Sequence, residues 1–445
     1  MQHFVFLWFY LLFINNIVEC QRKNPPRYKP PPVVCHDPSI GEHSKHAKYV
    51  ITGHATSGGG IGNSIVFFPN AFIFAALTGR DILIGDHSAL TELCTVLTCG
   101  YPRVSTIAKS LPDPQSRTFP QAKSIKVYDM GEYFRGDMLI DSDHVHVDGF
   151  LPHLTGWYRY LENNTEPAAE CLAMITGCRN GGDISCISRY ALQSWIRGPF
   201  ASTFSDVEMS RIKGIPPYIM NGLLTLPHAY ATRFDVGIHL RIQFTSFEKG
   251  LSATHEAYQK EVKDWLEAPL AEHIYKVFET QLLTKLEEAK DPDFVSQDYV
   301  GNEVRDLNKD PYLVFIASDN QEVKENFIEY LKSDKSPVSM MKNLYLIYTD
   351  AKEIVHIKNI HNVKTITAGE GIMDLAFDWY ALSLSNVILN YRTGGRLLST
   401  FVHSASWTSG NMEPTNKTAP IGKGIGCKAY TYDNKANKWD MFWFY

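Results

Sequence analysis

The stretch from Lys48 to Asp86 constrains the fold more than any other part of this chain. Tyr49-Val50-Ile51-Thr52 is rich in β-formers and stops at Gly53. Gly58-Gly59-Gly60-Ile61-Gly62-Asn63 interrupts any regular element. Ile65 to Leu77 is a mostly apolar run of helical length that ends at Thr78-Gly79, and Pro69 within it argues against one unbroken helix. Ile82-Leu83-Ile84 then forms a short apolar strand closing at Gly85-Asp86. Strand, helix and strand in that order make a βαβ unit, and strands joined by such a crossover lie parallel.

The same alternation returns beyond Val236. Val236 to Ile242 reads as a strand, and His255 to Ala289 as one or two charged amphipathic helices. Tyr312 to Ala317 is a strand ending at Ser318-Asp319, followed by a helix over Gln321 to Leu331 and a strand over Leu344 to Tyr348. Asp374 to Leu384 is helical, and Asn386 to Asn390 is a strand. The stretch from His87 to Phe200 is less periodic and predicts long loops. A chain of 445 residues, 44% hydrophobic and 20% charged, exceeds one ordinary core. The fold class is therefore α/β, with two Rossmann-like domains facing a cleft. The domains cover 46–225 and 226–410, with a boundary near Thr225 and a tail over 411–445.

The N-terminus is distinct. Phe4 to Ile14 is an apolar stretch of signal-peptide length, so residues 1–20 read as a signal peptide or a short signal anchor. Residues 21–45 begin with QRKNPPRYKPPP, a basic Pro-rich stem unsuited to helix or sheet. Sequons at Asn163 and Asn416 agree with a lumenal destiny. Eight cysteines without CxxC spacing exclude a zinc ribbon, and Cys171, Cys178 and Cys186 suit disulfides in an oxidising compartment. The Golgi membrane is the expected location, with the ER lumen or secretion as alternatives. A net charge of −5 without a basic run excludes nucleic acid as the main partner.

Four constellations can carry chemistry. The glycine loop before the first helix lets backbone N–H groups approach a diphosphate; a dinucleotide fingerprint fails, because Asn63 stands where its last glycine is needed. His239 and Arg241 share one side of their strand, near the end where open α/β sheets bind ligands, and an Arg there grips phosphate oxygens. Ser318-Asp319 follows the next strand and suits a ribose, a base edge or a turn. The stretch from Asp374 to Phe401 carries Asp378, Arg392, Thr393, Ser399 and Thr400. A rival lies at Asp141 to Asp148, where Asp-x-Asp and His-x-His-x-Asp spacing suits a metal-dependent hydrolase or, more simply, a solvated loop with an edge strand.

Gly60-Ile61-Gly62-Asn63 with Ala75 to Ile84 resembles the glycine loop, helix and Leu-Thr-Gly-Arg ending of plant xyloglucan-type fucosyltransferases. Gly237-Ile238-His239-Leu240-Arg241 is similar to the His-x-Arg motif of the wider α1,2-, α1,6- and protein O-fucosyltransferase superfamily, and Tyr380 to Phe401 to its third motif. The third motif aligns on Tyr391-Arg392-Thr393 or on Ser399-Thr400-Phe401. The resemblance implies a GT-B-like fold and inverting transfer of fucose from GDP-fucose, without a metal, to a glycan or glycoprotein hydroxyl. The N-terminal domain would take the acceptor side and the C-terminal domain the nucleotide sugar. It also implies that Arg241 holds the β-phosphate beside His239, that Gly60, Gly62 and Asn63 approach the donor, that Asp319 or Asp378 meets the guanosine, and that Thr393 meets a phosphate oxygen. Ser318, Arg392, Ser399 and Thr400 complete that donor set. No acid closely follows Arg241, where Ile242-Gln243-Phe244 stand; this favours a catalytically silent carbohydrate-binding relative as the second reading. Asp235, His54 and Glu370 are candidates for the general base.

Overall fold

The computed structural model describes residues 28–40, 48–52, 61–85, 94, 99–104, 106, 123–126, 133–134, 136, 138–140, 142–148, 165–178, 184–195, 212–215, 234–242, 244, 255–288, 311–350, 368–383, 385–393, 399–408 and 428–442. The leader over 1–20, both sequons, His54, Gly60 and Asp141 lie outside them. Among the described residues no helix is long and apolar enough to cross a membrane.

Two sheets organise the chain. Strands β1 (Tyr49–Thr52), β2 (Asp81–Ile84), β3 (Lys123–Lys126) and β4 (His144–Asp148) form a parallel sheet in the order β2-β1-β4-β3. The larger sheet has seven strands: β5 (Ile212–Lys213), β6 (Phe234–Arg241), β7 (Tyr312–Ser318), β8 (Leu344–Thr349), β9 (Ser385–Arg392), β10 (Lys428–Asp433) and β11 (Lys438–Phe442). Their order is β11-β10-β9-β6-β7-β8-β5. The five inner strands are parallel, and the edge strands β11 and β5 run antiparallel to their neighbours. Residues 428–442, within the tail expected from sequence, thus close one side of the large sheet.

Alternation in β6 separates two layers. Val236, Ile238 and Leu240 enter a core with α4 (His255–Leu266), α5 (Pro269–Glu288) and α6 (Gln321–Lys332). Helix α6 starts at Asn320, whose side chain accepts from the Val323 N–H, and buries Val323, Phe327, Ile328 and Leu331 on one face. The opposite face of β6 meets α7 (Ala368–Ser383) and α8 (Thr400–Thr408). Gly237 permits this: a Cβ there would lie 2.5 Å from Ser385 Oγ and 2.9 Å from Leu382 Cδ2.

Helix α1 (Ile61–Thr78) runs unbroken through Pro69. Proline removes one donor and usually breaks a helix interior; here burial on all sides holds the helix together, with Phe68, Phe72, Phe74 and Leu77 fully enclosed. Each such side chain contributes roughly 1.5–3 kcal/mol. Around it lie α2 (Thr165–Thr176) and α3 (Ile184–Trp195). Trp195 of α3 approaches Phe68 of α1 at 5.6 Å and Trp379 of α7 at 6.4 Å between ring centroids. One continuous core therefore reaches from Val50 and Ile82 in the small sheet to Phe315 and Ile388 in the large one.

The Pro-rich stem continues into a strap over 28–40 that lies along the end of α1. Val34 and His36 donate backbone hydrogen bonds to Leu77 and Ala76, and Cys35 is bonded to Cys171 of α2. Gly79 ends α1 with φ +63°, where Val34 Cγ1 sits 2.7 Å from the position of a Cβ. A second disulfide joins Cys94 to Cys99, and Cys178 is also disulfide-bonded.

The stretch from His87 to Phe200, expected as long loops, holds β3, β4, α2 and α3. The expected edge strand at His144–Asp148 is instead an inner one: β4 is flanked by β1 and β3. Its His144 stacks on Tyr49 at 5.7 Å, and burial lowers the His144 pKa. Asp143 forms an exposed ion pair with Lys48. Among the described residues no three His, Cys, Asp or Glu side chains are placed to hold a metal ion.

Candidate functional site

Strand order points to the site. Strands β6, β7 and β8 extend in one direction across the large sheet, and β9 and β10 extend in the other. The reversal falls between β6 and β9, and the crevice beyond the carboxyl ends at such a switch point is where open α/β sheets take ligands. Parallel register places His239 beside Asn390 and Arg241 beside Arg392 across this seam. Alternation puts all four residues on the face covered by α8.

His239 is buried, with its Nδ1 2.9 Å from Asn390 Oδ1 and its ring stacked on Phe401 at 5.5 Å. Burial pushes its pKa down to about 4, the Asn390 hydrogen bond opposing this and the Arg241 charge adding to it. The imidazole is thus neutral at pH 7. Arg241 is half-buried and donates from Nη1 to Ser399 Oγ at 3.3 Å. Ser399 precedes α8, and its carbonyl accepts from the His403 N–H at 2.8 Å, so the guanidinium lies beside the N-terminal turn of that helix. Thr393 closes the loop after β9: its N–H and hydroxyl reach the Arg241 carbonyl at 3.1 and 3.5 Å.

The turn after β7 braces the end of β6. Ser318 donates its hydroxyl to the Leu240 carbonyl at 2.8 Å and accepts from the Asn320 N–H. Asp319 Oδ1 accepts from the Ile242 N–H at 2.8 Å. The carboxylate missing from the sequence just after Arg241 therefore arrives in space from β7. Asn320 caps α6 and donates to the Tyr258 hydroxyl at 2.5 Å.

Asp378 and Asp235, also singled out from sequence, sit elsewhere. Asp378 is buried on α7 and accepts from the Thr349 hydroxyl at 2.8 Å; Lys324 donates to that same hydroxyl at 2.9 Å. Burial raises the Asp378 pKa to about 6, with Lys324 and Thr349 opposing, while burial lowers that of Lys324. This network ties α6 to α7 over the end of β8. Asp235 stands at the opposite end of β6 from Arg241, where its carboxylate accepts from the Leu313 N–H at 2.7 Å; that separation removes it as a base for chemistry at the switch point. Gly62 is buried in the first turn of α1, and Asn63 follows it in that turn; Thr400 opens α8 and Glu370 lies in α7.

Sequence reasoning gave no role to Asn390 or Thr431, and it named Phe401 only as the end of a motif. Asn390 carried a signal of its own, an amide inside the apolar run Val387 to Tyr391. Its Nδ2 donates to Thr431 Oγ1 of β10 at 3.2 Å. Two arginines in register are a like-charge cross-strand pair, unfavourable by itself. Arg241, beside the N-terminal turn of a helix and next to a neutral imidazole, is an arrangement chemically able to receive an anion.

No protein-family model and no curated protein matches this chain. Among solved structures it resembles a mutant of Arabidopsis thaliana FUT1 in complex with GDP, at 12% identity and a TM-score of 0.41 over 89% of this chain and 73% of that one. It also resembles NodZ α-1,6-fucosyltransferase co-crystallised with GDP, at 11% identity and a TM-score of 0.38 over 89% of this chain and 98% of that one. The fucosyltransferase NodZ from Bradyrhizobium is similar at 12% identity, a TM-score of 0.38 and the same two coverages.

Proposed function

We propose that this chain transfers fucose, with inversion, from GDP-fucose to a hydroxyl of a glycan or glycoprotein, without a metal ion, in the lumen of the secretory pathway at the Golgi membrane. The observation that carries the reading is the pairing of Arg241 with Arg392 at the switch point, beside the first turn of α8. The choice of fucose rests on the motif Gly237-Ile238-His239-Leu240-Arg241 and on the glycine loop.

In this reading the diphosphate of the donor lies across Arg241 and the start of α8. As the glycosidic bond stretches, the sugar becomes oxocarbenium-like and negative charge grows on the departing diphosphate. A guanidinium held by Ser399 and fixed N–H groups meet that charge without reorganising, so they favour the transition state over the ground state. Thr393 and Ser399 keep the two chain ends in register with Arg241. Asp319 anchors the backbone directly after Arg241, which limits the movement of the guanidinium.

The test is Arg241→Ala, with Arg241→Lys beside it. Loss of an oxyanion-type donor costs about 10²–10³-fold in rate, and Lys restores only part because it lacks the planar fork. The expected result is that loss of transfer with the melting temperature retained. A stable variant with undiminished donor binding and turnover sinks the proposal. GDP-fucose binding that survives EDTA supports the metal-free mechanism, and binding lost on chelation and restored by manganese or zinc overturns it. Lumenal placement predicts faster electrophoretic mobility after N-glycan removal; an unglycosylated product from a eukaryotic host contradicts it.

A further inference from the structure

We propose that Asn390 is a positioning residue for His239: backed by Thr431, it holds the imidazole as the Nδ1–H tautomer and leaves Nε2 as a bare acceptor beside Arg241. The inference deepens the function proposed above and rests on it for its catalytic consequence.

The argument begins with the amide. Asn390 Oδ1 faces His239 Nδ1 at 2.9 Å. A carbonyl oxygen carries no proton, so the ring nitrogen must donate. Behind it, Nδ2 donates to Thr431 Oγ1 at 3.2 Å. Asn390 is fully buried and Thr431 almost so, and the two face each other in register on β9 and β10. The chain Thr431–Asn390–His239 therefore crosses three adjacent strands. The Phe401 ring, stacked on the imidazole at 5.5 Å, restrains its rotation from the α8 side.

The charged groups around the ring reinforce a neutral state. Arg241 lies two residues on in the same strand and Arg392 holds the matching position on β9; a protonated imidazole would add a third positive charge. On β7 the register partner is the uncharged Ala317. On α8, burial likewise lowers the pKa of His403. On β10, Asp433 accepts from the backbone N–H groups of Lys435 and Ala436. A neutral imidazole protonated at Nδ1 offers only a lone pair at Nε2. It takes a hydroxyl or an amide N–H of the ligand and discriminates against an anion, which divides the work with Arg241: the arginine takes the phosphate and the histidine a hydrogen-bond donor.

The measurement is nitrogen NMR of histidine-labelled full-length protein, with Asn390→Asp and Thr431→Val alongside. In the wild type, His239 should show a protonated Nδ1 and a bare Nε2, unchanged down to about pH 5. Asn390→Asp places a carboxylate on Nδ1–H and should raise the ring pKa by about 1–3 units, moving the acid limb of the transfer rate upward with it. Thr431→Val frees the amide to turn and should add a second set of ring signals from the Nε2–H form. A wild-type ring protonated at Nε2, or titrating near pH 6.5, overturns the assignment even if both variants fail to fold. The wild-type pattern found without any GDP-fucose binding leaves the positioning role intact and defeats the transferase reading instead.

Discussion

The small and large sheets each set a parallel pair beside a reversal of strand order, yet the helices that cover them differ in kind. Helix α1, which follows β1, is mostly apolar and buried all round from Phe68 to Leu77, with the amide of Asn70 enclosed among apolar side chains. The N-terminal end of α8, which follows β9, instead meets Arg241 through Ser399 and His239 through Phe401. Substitutions in the first region act on the folded fraction, through transfer and cavity terms. Substitutions in the second act, in the function proposed here, on the contacts around Arg241 and His239.

Phe72→Ala in α1 gives the largest expected effect: about 3–5 kcal/mol of stability lost, with the rate per folded molecule unchanged in denaturant melts run beside transfer assays. Arg241→Ala should give the mirror image, a 10²–10³-fold loss of transfer at constant melting temperature. If either variant shows the other's signature, the division between the regions is wrong. Acid sharpens the contrast. A histidine whose folded pKa lies near 4 adds stability in full above its unfolded value of about 6.5, and that stability is lost as pH falls from about 6.5 through 4. The total is about 3 kcal/mol by linkage, and His239→Phe should flatten this part of a pH–stability curve. The smallest effect is expected for Gly237→Ala, at the point where β6 packs against α7. Its new methyl presses on Ser385 and Leu382, costing about 1–3 kcal/mol by overpacking and altering transfer only as α7 shifts.

Much of the large sheet was legible because its strands alternate strongly and end in turn residues. The expected strand at Val236–Ile242 is β6, and those at Tyr312 and Leu344 are β7 and β8. Helix α1 was legible in its apolar run, although Pro69 argued against continuity; propensity there yields to burial. Pairing across long separations was not legible. Nothing near His239 in sequence announces Asn390, 151 residues on, nor does spacing connect Cys35 to Cys171. Asp319 was visible as an acid after a strand, but its bond to the Ile242 N–H depends on β6 and β7 being neighbours. The inner position of β4 and the strands of the C-terminal segment were missed for the same reason: polar, short strands acquire their meaning from the neighbours they pair with.

The place of β6 between β7 and β9 sets a timetable for its birth. This strand leaves the ribosome before either neighbour exists, and Asn390 follows His239 only after 151 further residues. At about 5–20 residues per second, that interval is roughly 8–30 s. Throughout it the backbone edge of β6 that faces β9 has no strand to bond, and unpaired edges invite pairing with other chains. That edge stays open until β9 has been made, and Arg241 meets Ser399 only after β6, β9 and the start of α8 have all emerged.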